Sequence, residues 1–272
     1  MIGGAWLELR SKVISLLWGA GGIALFVVFW WAISVAIGRE RLPPPPEVIR
    51  QLYEIFIGSP MLASRGGVGT VVPHLVNSVA KYLVGVVVGV TLGIGLGLLM
   101  KCSATVHDIV IIPVEGIRTV PALAFTPFLL LWFGPTALAV VFLVIIYISL
   151  MLVISTVNAI DNVPRIYLEF AKTLGTTERQ LFRSVVLPAI LPELRGGIRV
   201  AISRSWGLVI VAELMGSPLG LGKALTVVTP YFAISTIIAL IIVTTALANI
   251  TDICFLVATR RISRWAPQYE EH

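Results

Sequence analysis

The sequence predicts an all-α, polytopic membrane protein of about six transmembrane helices. Three observations predict it. Hydrophobic residues make up 57% of the 272-residue chain and charged residues only 12%, with a mean hydropathy of +0.97, a balance suited to lipid rather than water. Six runs are apolar over the ~20 residues that a spanning helix needs, and short polar connections join them. Basic residues fall unevenly on the two alternating sets of connections, as they do where Lys and Arg collect on the cytoplasmic side.

Arg10 and Lys12 precede the first run, Trp18 to Ile37, which exceeds a signal-peptide core and has no convincing small-residue cleavage site. It reads as a retained first span. Pro43 to Pro46 then enforce an extended stretch. In the following segment, Val48, Leu52, Ile55 and Phe56 share one face, as in a helix lying at a membrane surface. The second run, Leu75 to Met100, carries Gly85, Gly89, Gly93 and Gly97 at four-residue spacing. That spacing draws a glycine ridge down one helix face, along which another helix can pack closely, from the same chain or from a second copy. Pro113, Pro121 and Pro127 interrupt the third run, Val106 to Phe133, and each removes a backbone donor. This run is either one kinked span or a span plus a re-entrant piece. Thr136 to Val157, Gly196 to Leu214 and Phe232 to Ala258 complete the set.

With the N-terminus inside, twelve basic residues are cytoplasmic: Arg10, Lys12, Lys101, Arg165, Lys172, Arg179, Arg183, Arg195, Arg199, Arg260, Arg261 and Arg264. Five are external, namely Arg39, Arg41, Arg50, Arg65 and Lys223, and Lys81, Arg118 and Arg204 fall inside spans. The asymmetry places both termini in the cytoplasm of a multi-pass cell-membrane protein. It also accounts for the net charge of +6 without nucleic acid. Cys102 and Cys254, the two cysteines, lie near cytoplasmic helix ends and support no disulfide framework.

The longest polar interruption, residues 158–188, reads as two short helices. Pro164 suits a first helical turn, Gly175 a left-handed helix end, and Thr177 with Gln180 a capping box that starts the second helix. Ile166, Leu168, Phe170, Leu181 and Phe182 are apolar in a water-facing loop and need a burial partner, either the membrane domain itself or another protein. Within this loop Glu169, Phe170, Ala171, Gly175, Val185, Leu187 and Pro188 match E-A-A-x3-G-x9-I-x-L-P in spacing, with Phe170 in place of the first Ala and Val185 in place of Ile.

That pattern resembles the EAA loop of binding-protein-dependent ATP-binding-cassette (ABC) permeases. The prolines after Leu42 extend the resemblance, as do the segments EGIRTVPALAFTPFLLLWFGP and LPAILPELRGGIRVAISRSWGLVIVAELMGSPLGLG and the ending RRISRW. These segments look like the nitrate, sulfonate and taurine branch, which has relatives carrying vitamin or thiamine precursors. The resemblance implies a type I ABC importer permease (MetI-like) fold, with residues 1–272 forming one transmembrane permease domain. It further implies that Glu169, Phe170, Ala171, Gly175, Leu187 and Pro188 couple the chain to an ATPase. The implied assembly is a homodimer of permease copies in the inner membrane, with two ABC ATPase subunits, a soluble or lipid-anchored substrate-binding protein, and no cofactor.

An ATP site is not expected in this chain, because SPLGLGKA from Ser217 to Ala224 lacks the first glycine and the hydroxyl residue of a phosphate loop. Ionisable residues inside spans are functional candidates, given a cost of ~2.5–3.5 kcal/mol at a helix centre on insertion scales. Arg204 either lines a translocation path with Trp206, Arg118 and Pro121 or pairs structurally with Glu213, Asp252 or a backbone carbonyl. Arg118 could equally pair with Glu115 on its own helix face. Glu213, ahead of Gly216, Gly220 and Gly222, suits gate or docking architecture. An ion-coupled secondary carrier would keep more midplane acids and show repeat symmetry. A membrane enzyme would need convergent nucleophile and base, whereas His74 and His107 flank different spans and no metal-type spacing is present.

Overall fold

The computed structural model describes residues 2–63 and 68–260. Of the basic residues tallied above, Arg65, Arg261 and Arg264 lie outside the described residues, as do the side chains of Arg10 and Lys12. The secondary structure of the described residues is helical. The chain forms α1 (Ile2–Ile37), α2 (Pro45–Ile57), α3 (Pro60–Ala63), α4 (Val72–Cys102), α5 (Ala104–Thr119) and α6 (Thr126–Phe133). There follow α7 (Ala137–Asp161), α8 (Arg165–Thr173), α9 (Glu178–Leu181), α10 (Leu187–Gly216), α11 (Leu221–Val228) and α12 (Ile234–Thr259). Two compact units arise: residues 1–70 with 227–242, and residues 71–226 with 243–272.

In the first unit the proline stretch is tied to the end of α1. Ser34 Oγ donates to the Leu42 carbonyl at 2.7 Å and the Trp30 indole N–H to that of Pro43 at 3.1 Å. Prolines suit the first turn of α2, where an N–H would have no partner anyway. Val48 and Ile55 of α2 are buried in protein, while Ile49, Tyr53 and Ile57 are exposed. The face expected to lie at a membrane surface is thus turned into the protein at Val48 and Ile55, with Phe56 exposed, and Ile49, Tyr53 and Ile57 form a second, open apolar set.

The second unit is organised by the glycine ridge. A Cβ on Gly85 would lie 2.6 Å from Val144, one on Gly89 2.9 Å from Ile148, one on Gly93 2.8 Å from Leu152, and one on Gly97 2.6 Å from Thr156. The ridge partner is thus α7 of the same chain. Its residues advance in step with the glycines, so α4 and α7 run parallel. Parallel neighbours require the intervening chain to return across the unit, because a piece that re-emerged on its own side would leave α7 antiparallel. The segment from α5 to α6, bent by 94° at the Val120–Pro121 break, is accordingly one broken span rather than a re-entrant loop. Pro121, with no N–H, stands at the break, where the Val120 N–H bonds back to Ile117 at 3.1 Å.

Helix α10 packs antiparallel on α7, with Gly197 against Ser155 and Gly216 against Pro135. It starts earlier than the apolar run implied. Between Phe182 and Val186 the chain winds as a π-turn, with the Leu187 N–H reaching back to Phe182, so α9 flows into α10 instead of standing alone. Pro188 has no N–H to give and follows this widened turn without ending the helix. Leu143, Ile148, Leu152 and Trp206 form the centre of the core, where Tyr82 stacks on Trp206 at 4.2 Å and 18°.

Among the described residues four helices are long and apolar enough to cross a membrane unaided, and two bent pairs raise the number to six when each is one span. Gly93→Ala must displace the Ser149 carbonyl, 2.8 Å from the new methyl. An overpacking loss of about 1–3 kcal/mol is expected. Gly95, on the same helix with no atom within 4 Å of such a methyl, is the control. Gly95→Ala should leave thermal unfolding of the detergent-purified chain unchanged or slightly raised.

Candidate functional site

Three places in the second unit collect polar or exposed groups that packing alone does not explain: a corner at α8, a basic cavity beside the α5–α6 break, and a buried network at the opposite end of α10.

The corner is closed by backbone hydrogen bonds. Gly175, at φ 76°, gives its N–H to Lys172 at 2.9 Å, and the Thr176 N–H reaches Ala171 at 3.4 Å, the paired bonds of a left-handed helix end. Nothing crowds Gly175, so its torsion and not its size requires glycine. Thr177 and Gln180 complete the reciprocal capping box, at 3.3 Å and 2.9 Å. Apolar side chains of the loop then divide into two groups. Leu168, Leu181 and Phe182 pack inward, and Ala171 is buried. Ile166, Tyr167, Phe170 and Leu174 share the outer face of α8 and stay 55–69% exposed, with Glu169 also exposed beside them. Leu187 packs beneath the corner near Ile190, and Pro188 lies beside it at the start of α10.

The basic cavity, of about 360 Å³, is lined by Arg118, Pro121, Tyr147, Met151 and Arg204 among others. Both acids considered as partners of Arg204 are engaged elsewhere. Asp252 takes a two-pronged contact from Arg199, 2.9 Å on each oxygen, and Glu213 pairs with Lys81. Arg204 instead faces the Tyr147 phenol. Among the described residues Arg118 and Glu115 form no ion pair. Two guanidinium groups and a phenol thus converge on one concave wall without a carboxylate, an arrangement for receiving an anion.

Trp206 requires a correction. Two residues beyond Arg204, it points to the other side of α10, is 2% exposed, stacks on Tyr82 and gives its indole N–H to Thr251 at 2.9 Å. Half a helical turn separates cavity wall from core. Tyr147, by contrast, carried no sequence signal, since an aromatic in an apolar run looks like core.

At the far end of α10 the Lys81–Glu213 pair, 2.7 Å apart with side chains 3% and 0% exposed, sits in a buried hydrogen-bond network. The Lys81 ammonium has three donors and uses them on Glu213, on Ser217 Oγ at 2.8 Å and on the Leu219 carbonyl at 2.6 Å. Glu213 accepts the Gly222 N–H at 3.0 Å and lies 2.8 Å from Ser78 Oγ, which accepts the Leu221 N–H. His74 Nδ1 is 2.8 Å from the Gly220 carbonyl. A side chain on Gly220 would meet the Glu213 carboxylate, and one on Gly222 the Ile210 carbonyl. The glycines are there because the loop is pulled down onto an ion pair. A lysine and a glutamate left in apolar runs signal that each needs a partner, but linear sequence does not say which.

Residues 85–264 match the family described as binding-protein-dependent transport system inner membrane component. The taurine transport system permease protein of Escherichia coli (strain K12) is 27% identical over 96% of this chain and 92% of its own length. A nitrate import permease protein of Synechococcus elongatus is 24% identical over 74% of this chain and 72% of its own. Among solved structures, the inward-facing MetNI methionine ABC transporter aligns at a TM-score of 0.60 and 19% identity, over 71% of this chain and 96% of that one.

Lys81→Met leaves the Glu213 carboxylate buried without its cation, and a loss of about 3–5 kcal/mol is expected. Pairing it with Glu213→Gln removes both charges and should recover part of that loss. Thermal unfolding of the two variants in the same detergent measures the difference; equal destabilisation would show that the pair is not coupled.

Proposed function

The chain belongs to the family of binding-protein-dependent transport system inner membrane components, and on that premise we propose that it is the permease subunit of an ATP-driven importer. It forms the translocation path for a small anionic substrate and has no ATPase site of its own. A second copy completes the path, two ATPase subunits dock at the α8 corner, and a soluble or lipid-anchored binding protein delivers substrate at the opposite face. Both termini and α8 are cytoplasmic.

One observation carries this reading: the outer face of α8 keeps Ile166, Tyr167, Phe170 and Leu174 exposed on a corner locked by a glycine end and a capping box. An apolar face held this rigidly, beyond the membrane spans, suits a protein partner. Support for the substrate class comes from the Arg118, Arg204 and Tyr147 wall, and from the taurine and nitrate of the relatives' names. A planar guanidinium fork matches sulfonate or nitrate oxygens. The alternating states follow from a push on α8 that α9 and α10 transmit to this wall.

Phe170→Asp should abolish ATP-dependent uptake, by tenfold or more on the order of a lost interface anchor, while membrane insertion is kept. Arg204→Gln and Arg118→Gln should each impair uptake with the ATPase still bound. Normal uptake in both would remove the anion wall from the path.

Sidedness has its own measurement. With Cys102 and Cys254 replaced by serine, a cysteine at Thr177 should react with an impermeant thiol reagent only from the cytoplasmic side, and one at Pro218 only from outside.

A further inference from the structure

Glu115 has no part in the anion wall, although it stands three residues before Arg118 on α5. The two diverge: Arg118 lines the basic cavity and Glu115 does not. Both are exposed, and among the described residues neither forms an ion pair. Val106, Val110 and Val114 turn one side of α5 into the core. Asp108, Ile112, Glu115 and Thr119 make the stripe on its other side, and all four are exposed. Depth makes that exposure costly. The Lys101–Asp161 pair marks the polar end of the neighbouring helices, and from Ala104 Glu115 stands eleven residues on. That is about 17 Å along the axis, about half of the ~30 Å hydrocarbon layer. A carboxylate at this depth faces water or a cation and not lipid.

The face carries both signs of charge. Glu115 and Arg118 lie about 60° apart around α5 and about 4.5 Å apart along it, a difference in height that two long side chains bridge. A two-fold axis along the membrane normal sets two α5 helices parallel and puts the Glu115 flank of one against the Arg118 flank of the other, twice. One carboxylate beside one guanidinium is in this way its own complement. Gly116 leaves room for the approach, since a Cβ added there would meet nothing within 4 Å. We propose that a second copy of this chain packs on the exposed side of α5, with Glu115 of each copy paired to Arg118 of the partner subunit. The carboxylate that the anion wall lacks is then supplied in trans. This contact rests on the reading in which a second copy completes the path, and it names the residues that join the two copies beside the wall.

With Cys102 and Cys254 replaced by serine, two differently tagged full-length copies, one with Glu115→Cys and one with Arg118→Cys, are produced together and treated in membranes with a short thiol cross-linker. A cross-linked species carrying both tags is expected. In detergent, analytical ultracentrifugation gives the concentration at which half of the chain is dimeric. Glu115→Arg and Arg118→Glu should each raise that concentration about tenfold or more, through like charges facing across the axis. The two exchanges combined should return it to within about threefold of the unaltered chain, the signature of a coupled pair. Glu115→Gln should raise it less than Glu115→Arg. A carboxylate that faces only water leaves the dimer unchanged in Glu115→Arg, and one that pairs within its own copy gives no cross-link between copies; either result overturns the proposal. A chain that stays monomeric at every concentration overturns the two-copy reading as well, whereas a dimer without the cross-link strikes this contact alone.

Discussion

Parallel contact between α4 and α7 along four glycines is the constraint on which the second unit depends. In lipid no water is gained by hiding apolar surface, so two helices adhere through close packing of their backbones. Four glycines in register allow that approach, and each faces a β-carbon of Val144, Ile148, Leu152 or Thr156. Because the two helices point the same way, the chain between them has to cross the unit again. That crossing is broken at Val120 and Pro121, and the break sets Arg118 across from Tyr147 on α7. The cavity wall is therefore a by-product of the packing rule that fixes α7, the helix carrying Tyr147.

Charge placement follows from how completely each intramembrane cation is answered. Lys81 spends all three donors inside the protein, and its glutamate takes one further N–H, that of Gly222, from the adjoining loop. Such a pair, dry and hydrogen-bonded, holds a loop in place and has nothing left for a ligand. Arg199 grips Asp252 with both prongs. Among the described residues Arg204 is set against the Tyr147 phenol on the cavity wall, with no carboxylate in the lining. Three basic residues on or against α10 thus have three different occupations, decided by their neighbours and not by their common charge.

Much of this was legible in the sequence where the signal was local. Apolar runs, the capping box at Thr177, the turn at Gly175 and the four-residue glycine spacing are written within one or two helical turns, and the fold expectation rested on them. The glycine ridge announced a close contact without naming α7, because the partner is a matter of tertiary packing. Pairings across the chain were hidden for the same reason. Glu213 was weighed against Arg204, yet its cation is Lys81 on α4. Trp206 was grouped with Arg204 by nearness in sequence, although a helix turns two neighbouring residues to opposite sides. The second helix of the loop was read as separate from the fifth span because the apolar run begins only at Gly196, whereas the π-turn carries the helix on through Pro188.

That π-turn makes residues 178–216 a single rod whose soft stretch runs from Phe182 to the internal Pro192. At ~1.5 Å per residue the rod is about 58 Å long, nearly twice the hydrocarbon thickness of a bilayer. Its compliance is uneven, since wide hydrogen bonding and a proline coincide between Phe182 and Pro188, while the far half is pinned by core packing and by Glu213. Bending stress applied at the corner concentrates in that soft stretch, and what passes beyond it is translation and rotation about the long axis. Arg204 lies in the pinned half, between Ile202 and Trp206 of the core, so it moves only as the whole far half moves.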